Sequence, residues 1–336
     1  MKVGFMSHFR KFALILFVFL AAIVVSMHHA HVGPYSESRM LMDTIITIKA
    51  YPAESEKAVA AAFAAFEEIE NLASFHRSET ELFKFNHTGR LPLNTPLAPL
   101  LDICRHYYHF SDGYFDPSFA ILQKAYGFYS QEGRLPEDAE ITYLLGHSCG
   151  FDRVLTVDAE NILLASGSLI DLGGIAGGVA IEKAAKILKN ADCTGFLIDD
   201  AGDIWFEGTK PDASLWRIAV RDPRDNGALA IVESQQPLAI STSGDYERFV
   251  TVNGNRYGHI MNPLTGRPVD YYSSVTVVAS SAIAADALST SIFAMPAEKA
   301  FAWVEKNSVP ALFLTSGGEV HVSLSGQQYF KEVKSR

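Results

Sequence analysis

The chain has 336 residues with 48% apolar and 20% charged content, enough apolar material for a substantial core and outside the disordered class. Lys and Arg number 28 against 38 Asp and Glu, for a formal charge of -10, so no basic face is implied for DNA or RNA and nucleic acid is not an expected partner. Cys104, Cys149 and Cys193 are odd in number, widely spaced and without a C-x-x-C pattern, which supports neither a zinc site nor a disulfide framework.

In chain order, Lys2, Arg10 and Lys11 precede an apolar run over residues 12–25, shorter than the roughly 20 residues that span a bilayer. This order predicts a signal peptide or an N-terminal membrane anchor over residues 1–27, and an exported body. Val24 and Ser26 would occupy the -3 and -1 positions of a cleavage site. With no cysteine near this region, lipid attachment is not expected, and membrane retention falls to an uncleaved helix. Residues 28–39 read as a short polar linker and residues 40–336 as one domain.

Met42, Thr44, Ile46 and Ile48 alternate with Asp43, Ile45 and Thr47, which predicts a strand carrying apolar side chains on both faces, ended by Pro52. Ser55 is placed to cap a helix whose apolar positions Val59, Phe63, Phe66, Ile69 and Leu72 recur at steps of three or four. A second helix is expected over 96–110, ending at Ser111-Asp-Gly113 and followed by the turn Gly113-Tyr-Phe-Asp-Pro117. Leu169-Ile-Asp-Leu172 reads as a short strand running into Gly173-Gly-Ile-Ala-Gly-Gly178, with helical periodicity over 179–188.

Strands are expected over 196–198, 216–220, 228–232, 249–252 and 275–278, with Asn253-Gly254 as a hairpin turn. Helices at 284–293 and 297–307 and strands at 311–314 and 319–323 complete a fold of class α+β. The expected architecture is a single compact domain, mostly antiparallel sheet with flanking helices.

Four glycines in the six residues Gly173 to Gly178 leave bare backbone at the start of a helix. This suits either a pyrophosphate or close strand-helix packing. Asp286 and Thr290 stand four apart on a predicted helix, so a carboxylate and a hydroxyl share one face, as hard-oxygen ligands of magnesium or as capping and solvated residues. His259, just before the Asn262-Pro-Leu-Thr-Gly266 turn, is a candidate general base or a structural histidine.

The order of Met42-Asp-Thr44, the segment 74–86, Gly113 to Pro117 with Tyr126-Gly-Phe128, the segment 171–178, Ser241-Thr-Ser-Gly-Asp-Tyr246, the segment 259–266 and the segment 286–290 resembles the FAD:protein FMN transferase family, known as ApbE, from about Met40 onward. The resemblance implies an ApbE-like fold and an exported, Mg2+-dependent enzyme. Such an enzyme takes FAD as substrate, attaches FMN to a threonine of an acceptor protein and releases AMP. It implies the Gly174 carbonyl, Asp286 and Thr290 as metal ligands and His259 beside the accepting hydroxyl. It places Met42, His76, Tyr114, Phe115, Asp116, Asp171 and Ile260 against FAD.

The implied acceptor is a subunit of a membrane redox complex, and the implied location is the periplasm, at the inner membrane if the leader stays uncleaved. An FAD-binding protein or an FAD pyrophosphatase of the same fold is the alternative. Four positions depart from the family pattern: Asp43 where glycine is common, His76 where tyrosine is, Gly177 where lysine is, and Ala201-Gly202 where two glycines are.

Overall fold

The computed structural model describes residues 33–334 except 53, 131 and 226. The leader expected over residues 1–27 lies outside the described residues. Among those described, no helix is long and apolar enough to cross a membrane.

The scaffold is an eight-stranded antiparallel sheet whose spatial order follows chain order. Its strands are β1 (Tyr35–Leu41), β2 (Thr44–Tyr51), β3 (Gly195–Asp200), β4 (Asp203–Gly208), β5 (Leu238–Gly244), β6 (Tyr272–Ala279), β7 (Ala311–Thr315) and β8 (Val320–Val322). Three helices, α1 (Glu56–Ala73), α2 (Ala176–Asn190) and α3 (Ala282–Ala294), lie side by side on one face, over β1–β2, β3–β4 and β5–β6 respectively. A three-stranded sheet of 217–221, 228–233 and 330–331 packs on the other face.

Side-chain period sorts the core between the two faces. Along β7, Ala311 and Phe313 join the helix-side cluster, while Leu312 and Leu314 join the cluster under the small sheet. The expected stripe on α1 is buried at Val59, Phe63, Phe66, Ile69 and Leu72, each fully buried large side chain contributing roughly 1.5–3 kcal/mol. Ser55 stands at the N-cap position, yet its hydroxyl donates to the Pro52 carbonyl at 2.6 Å instead of accepting from the helix.

Two readings need correction. The stretch taken as a polar linker holds β1 from Tyr35. Its alternating half-buried and exposed residues pair along the whole length of β2, and a strand at a sheet edge needs no strong apolar pattern. Leu169 to Leu172 forms no ladder, because its backbone is bonded by other means. Asn86 brackets Ile170, donating to its carbonyl and accepting its N–H at 2.8 Å each, and Asp171 N–H donates to the Pro117 carbonyl at 3.0 Å.

The departures at Asp43 and Ala201 have a backbone meaning. Met42 and Asp43 turn the β1–β2 hairpin with φ of 52° and 63°, and Ala201 turns β3 into β4 with φ of 50°. Glycine enters this left-handed region freely and aspartate does so with modest cost, whereas alanine is strained there.

Candidate active site

Several element ends open onto one cleft of about 1370 Å³. The β1–β2 and β3–β4 turns, the end of β5, the start of α2, the inner face of α3 and the segments 114–129 and 246–261 all contribute to its wall. Every residue singled out in the sequence lines it: Met42, His76, Tyr114, Phe115, Asp116, Asp171, Gly174, His259, Ile260, Asp286 and Thr290.

The glycine-rich bend is where α2 crosses α3. A Cβ on Gly178 would lie 2.7 Å from the Ala282 carbonyl oxygen, so the two helices touch through bare backbone. Gly178 N–H donates to Asp286 Oδ2 at 2.9 Å, which ties the bend to α3. One turn further along α3, Thr290 Oγ1 lies 3.3 Å from where a Gly174 Cβ would stand. Close packing and ligand access therefore coexist in this segment, but the packing is of helix against helix and not of strand against helix. Gly178 makes the packing contact, while Gly173, Gly174 and Gly177 face the cleft.

The Gly177 position exposes residues the sequence reading missed. A Cβ there would be 3.2 Å from Asp200 Oδ2, 3.6 Å from Asp286 Oδ2 and 3.7 Å from Asp203 Oδ2. The available signal was an Asp-Asp pair ending a strand, followed by Ala-Gly-Asp. Burial, followed by the charges of Asp203 and Asp199, lifts Asp200 to about 7. Asp286, only 5% exposed, is pushed well above the usual carboxylate range by burial first and then by Asp203.

These are hard oxygen donors short of positive charge, the chemistry that suits magnesium. Among the described residues, no group of three or more His, Cys, Asp or Glu is arranged to hold a metal by itself.

A raised carboxylate pKa stabilises the fold below its ordinary value and loses that contribution as pH climbs through the folded value. For Asp200 that window runs from about 4 to about 7. Glu247 is exposed on the cleft wall, so Asp200 and Asp286 carry most of the effect. The protein in EDTA is expected to melt lower at about pH 8.5 than at about pH 6, with Mg2+ restoring part of the loss at the higher pH. Thermal scans under the four conditions check this. Equal melting at both pH values in EDTA would show that the carboxylates do not strain the cleft.

His259 is half-buried. Its Nδ1 lies 3.2 Å from the Arg248 carbonyl, which can only accept, so Nδ1 carries the proton and Nε2 keeps a lone pair. Burial first, and then the Arg248 guanidinium, lowers its pKa to about 4. Asp116 is less available than the resemblance implies. Ser118 N–H and Oγ–H donate to one carboxylate oxygen and Gly150 N–H donates to the other at 3.1 Å, while burial raises its pKa to about 6. Tyr114 and Phe115 are almost fully buried where the core reaches the cleft, and Lys299 Nζ lies 4.5 Å above the Tyr114 ring. Met42 N–H donates to Glu70 Oε1 at 3.0 Å, fixing the hairpin turn at the rim.

Fold and cleft together define an α+β class of protein with one large cleft lined by buried carboxylates, bare glycine backbone and aromatic side chains. A sequence profile of the ApbE family matches residues 42–313, and the chain belongs to that family. It is 30% identical over 257 residues to the FAD:protein FMN transferase of Vibrio cholerae, covering 74% of this chain and 76% of the relative. It is 26% identical over 329 residues to the one from Haemophilus influenzae, covering 93% and 92%. Among solved structures, the ApbE protein of Thermotoga maritima superposes with a TM-score of 0.82 at 27% identity, over 89% of this chain and 100% of that one. The flavinyl transferase ApbE of Pseudomonas stutzeri superposes with 0.78 at 28% identity, over 88% and 96%.

Proposed function

We propose that this chain transfers FMN from FAD to a threonine of an exported acceptor protein, with release of AMP. The observation that carries this reading is the meeting, in one cleft, of the bare start of α2, the Asp286–Thr290 face of α3 and the free Nε2 of His259. Family membership supports the same chemistry.

In this reaction the acceptor oxygen forms a bond to the FMN phosphorus while the bond from that phosphorus to the bridging oxygen breaks, and AMP leaves with that oxygen. His259 Nε2 takes the proton from the threonine hydroxyl. The bend from Gly173 to Gly177 admits the pyrophosphate to backbone distance, and Tyr114, Phe115, Ile260 and Met42 line the cavity that receives the rest of FAD. Asp286, Thr290 and the Gly174 carbonyl would hold magnesium, which supplies charge neutralisation at the phosphates. Positioning of the two reactants accounts for much of the remaining rate. The base is unprotonated at neutral pH because its pKa lies near 4, and the arrival of phosphate charge raises that value toward the working range.

The test is an incubation of the chain with FAD, Mg2+ and a threonine-bearing acceptor domain of a membrane redox complex. Acceptor mass and AMP are followed together, and both should rise in equal amounts. AMP without a mass gain would make the chain an FAD pyrophosphatase, and FAD retention without AMP a binding protein. The leader motivates the exported location, at the inner membrane if it stays uncleaved. A fused reporter active only outside the cytoplasm should therefore work, and activity confined to the cytoplasm would reject export.

A further inference from the structure

Tyr129 joins three parts of the cleft that are far apart in the sequence. It follows the helix Ala120–Tyr126, and its half-buried side chain lines the cavity. The ring stacks on Phe75 with centroids 4.2 Å apart and planes 22° apart. It meets His76 nearly edge-on at 5.5 Å and 70°, and Phe75 meets His76 in the same way at 5.4 Å. These three rings make one aromatic wall. The resemblance puts a tyrosine where His76 stands; in this chain a phenol reaches the same wall from position 129.

The hydroxyl is as well connected as the ring. It lies 2.7 Å from Asp171 Oδ2 and 2.6 Å from Gln123 Oε1. Gln123 Nε2–H donates to the His259 carbonyl at 3.0 Å, which orients the amide with its oxygen toward Tyr129. Asp171 Oδ1 accepts from Gly173 N–H at 2.8 Å, which holds the carboxylate against the glycine-rich bend. Burial, followed by the Asp171 charge, keeps the phenol protonated far above its ordinary pKa, so it remains a donor.

We propose that Tyr129 is a positioning residue for flavin transfer, whose hydroxyl links the Asp171 carboxylate to the backbone of His259 through Gln123 and so couples filling of the FAD site to placement of the base. The inference rests on the reading that Asp171 contacts FAD and His259 serves the acceptor. A phenol has one proton for these two acceptors and gives it to one at a time. The charged carboxylate is the stronger acceptor. A ligand N–H or O–H donated to Asp171 satisfies that carboxylate and frees the Tyr129 proton for Gln123, which tightens the link to His259.

The experiment uses the full chain with FAD, Mg2+ and the threonine-bearing acceptor domain, reading FAD affinity by flavin fluorescence and transfer by acceptor mass. Tyr129→Phe keeps the stack and removes the hydroxyl. Its kcat should fall roughly tenfold or more, the scale of one hydrogen bond to a charged group, while FAD affinity changes by less than about threefold and the melting temperature stays put. Gln123→Met cuts the chain at its next link and should reproduce the kcat loss, which covers the case in which the tyrosine variant folds poorly.

Because Tyr129 acts through Asp171, the combined loss in Tyr129→Phe with Asp171→Asn should be smaller than the product of the single losses. Wild-type kcat in Tyr129→Phe, or losses at Tyr129 and Asp171 that multiply in full, would overturn the inference. A wild-type chain that flavinylates nothing removes the functional reading and this inference together, whereas a transferring wild type with an unimpaired Tyr129→Phe removes the inference alone.

Discussion

Asp286→Asn is expected to abolish AMP release, by roughly a thousandfold or more, while leaving FAD binding partly intact. The asparagine keeps an acceptor oxygen for Gly178 N–H, so the α2–α3 tie seen at 2.9 Å survives and the fold is not the casualty. What disappears is the carboxylate charge that the proposed magnesium site requires, on a side chain only 5% exposed. A metal ion contributes several kcal/mol of charge stabilisation in such reactions, and each 1.36 kcal/mol is about a tenfold change in rate. Binding suffers less, because the cavity walls that receive the rings are untouched. Turnover of FAD by Asp286→Asn at the wild-type rate, measured as AMP with Mg2+ saturating, would remove Asp286 from the metal site.

His259→Ala is expected to lower transfer by roughly a hundredfold or more, the usual range for a lost general base, with FAD affinity almost unchanged. The side chain makes a single hydrogen bond given by its Nδ1, to the Arg248 carbonyl, and that carbonyl also accepts the His259 N–H at 3.1 Å, which the substitution keeps. The segment should therefore hold its course and the variant should fold. Acceptor flavinylation is the reading that matters, followed by mass at several pH values beside FAD fluorescence. A variant that flavinylates at the normal rate across that range would make His259 structural and leave the threonine proton to another group.

Much of the fold could be read from the chain because local pattern and tertiary role agree there. The stripe on α1, the Asn253-Gly254 turn with φ of 52° and 80°, and the helix Ala297–Lys306 are all set by period or turn chemistry over a few residues. The ordered motifs likewise named residues that share one cleft. The reason is that chemistry-bearing residue types at fixed short spacing, such as Asp286 and Thr290 one turn apart, keep that spacing in any fold that forms the helix. The sequence by itself thus determined the class of the domain, the family and the face of α3 that carries Asp286 and Thr290.

Tertiary structure alone decided the rest. β1 became a strand because β2 offered it a full ladder, and Leu169 to Leu172 did not because the Asn86 amide and the Pro117 carbonyl had already taken the backbone bonds of Ile170 and Asp171. The crowding of Asp200 and Asp203 with Asp286, and the link from Tyr129 to Asp171 and His259, involve partners dozens of residues apart. Local pattern carries no record of such distances. They appear only when chain closure brings charges into a place where water no longer screens them.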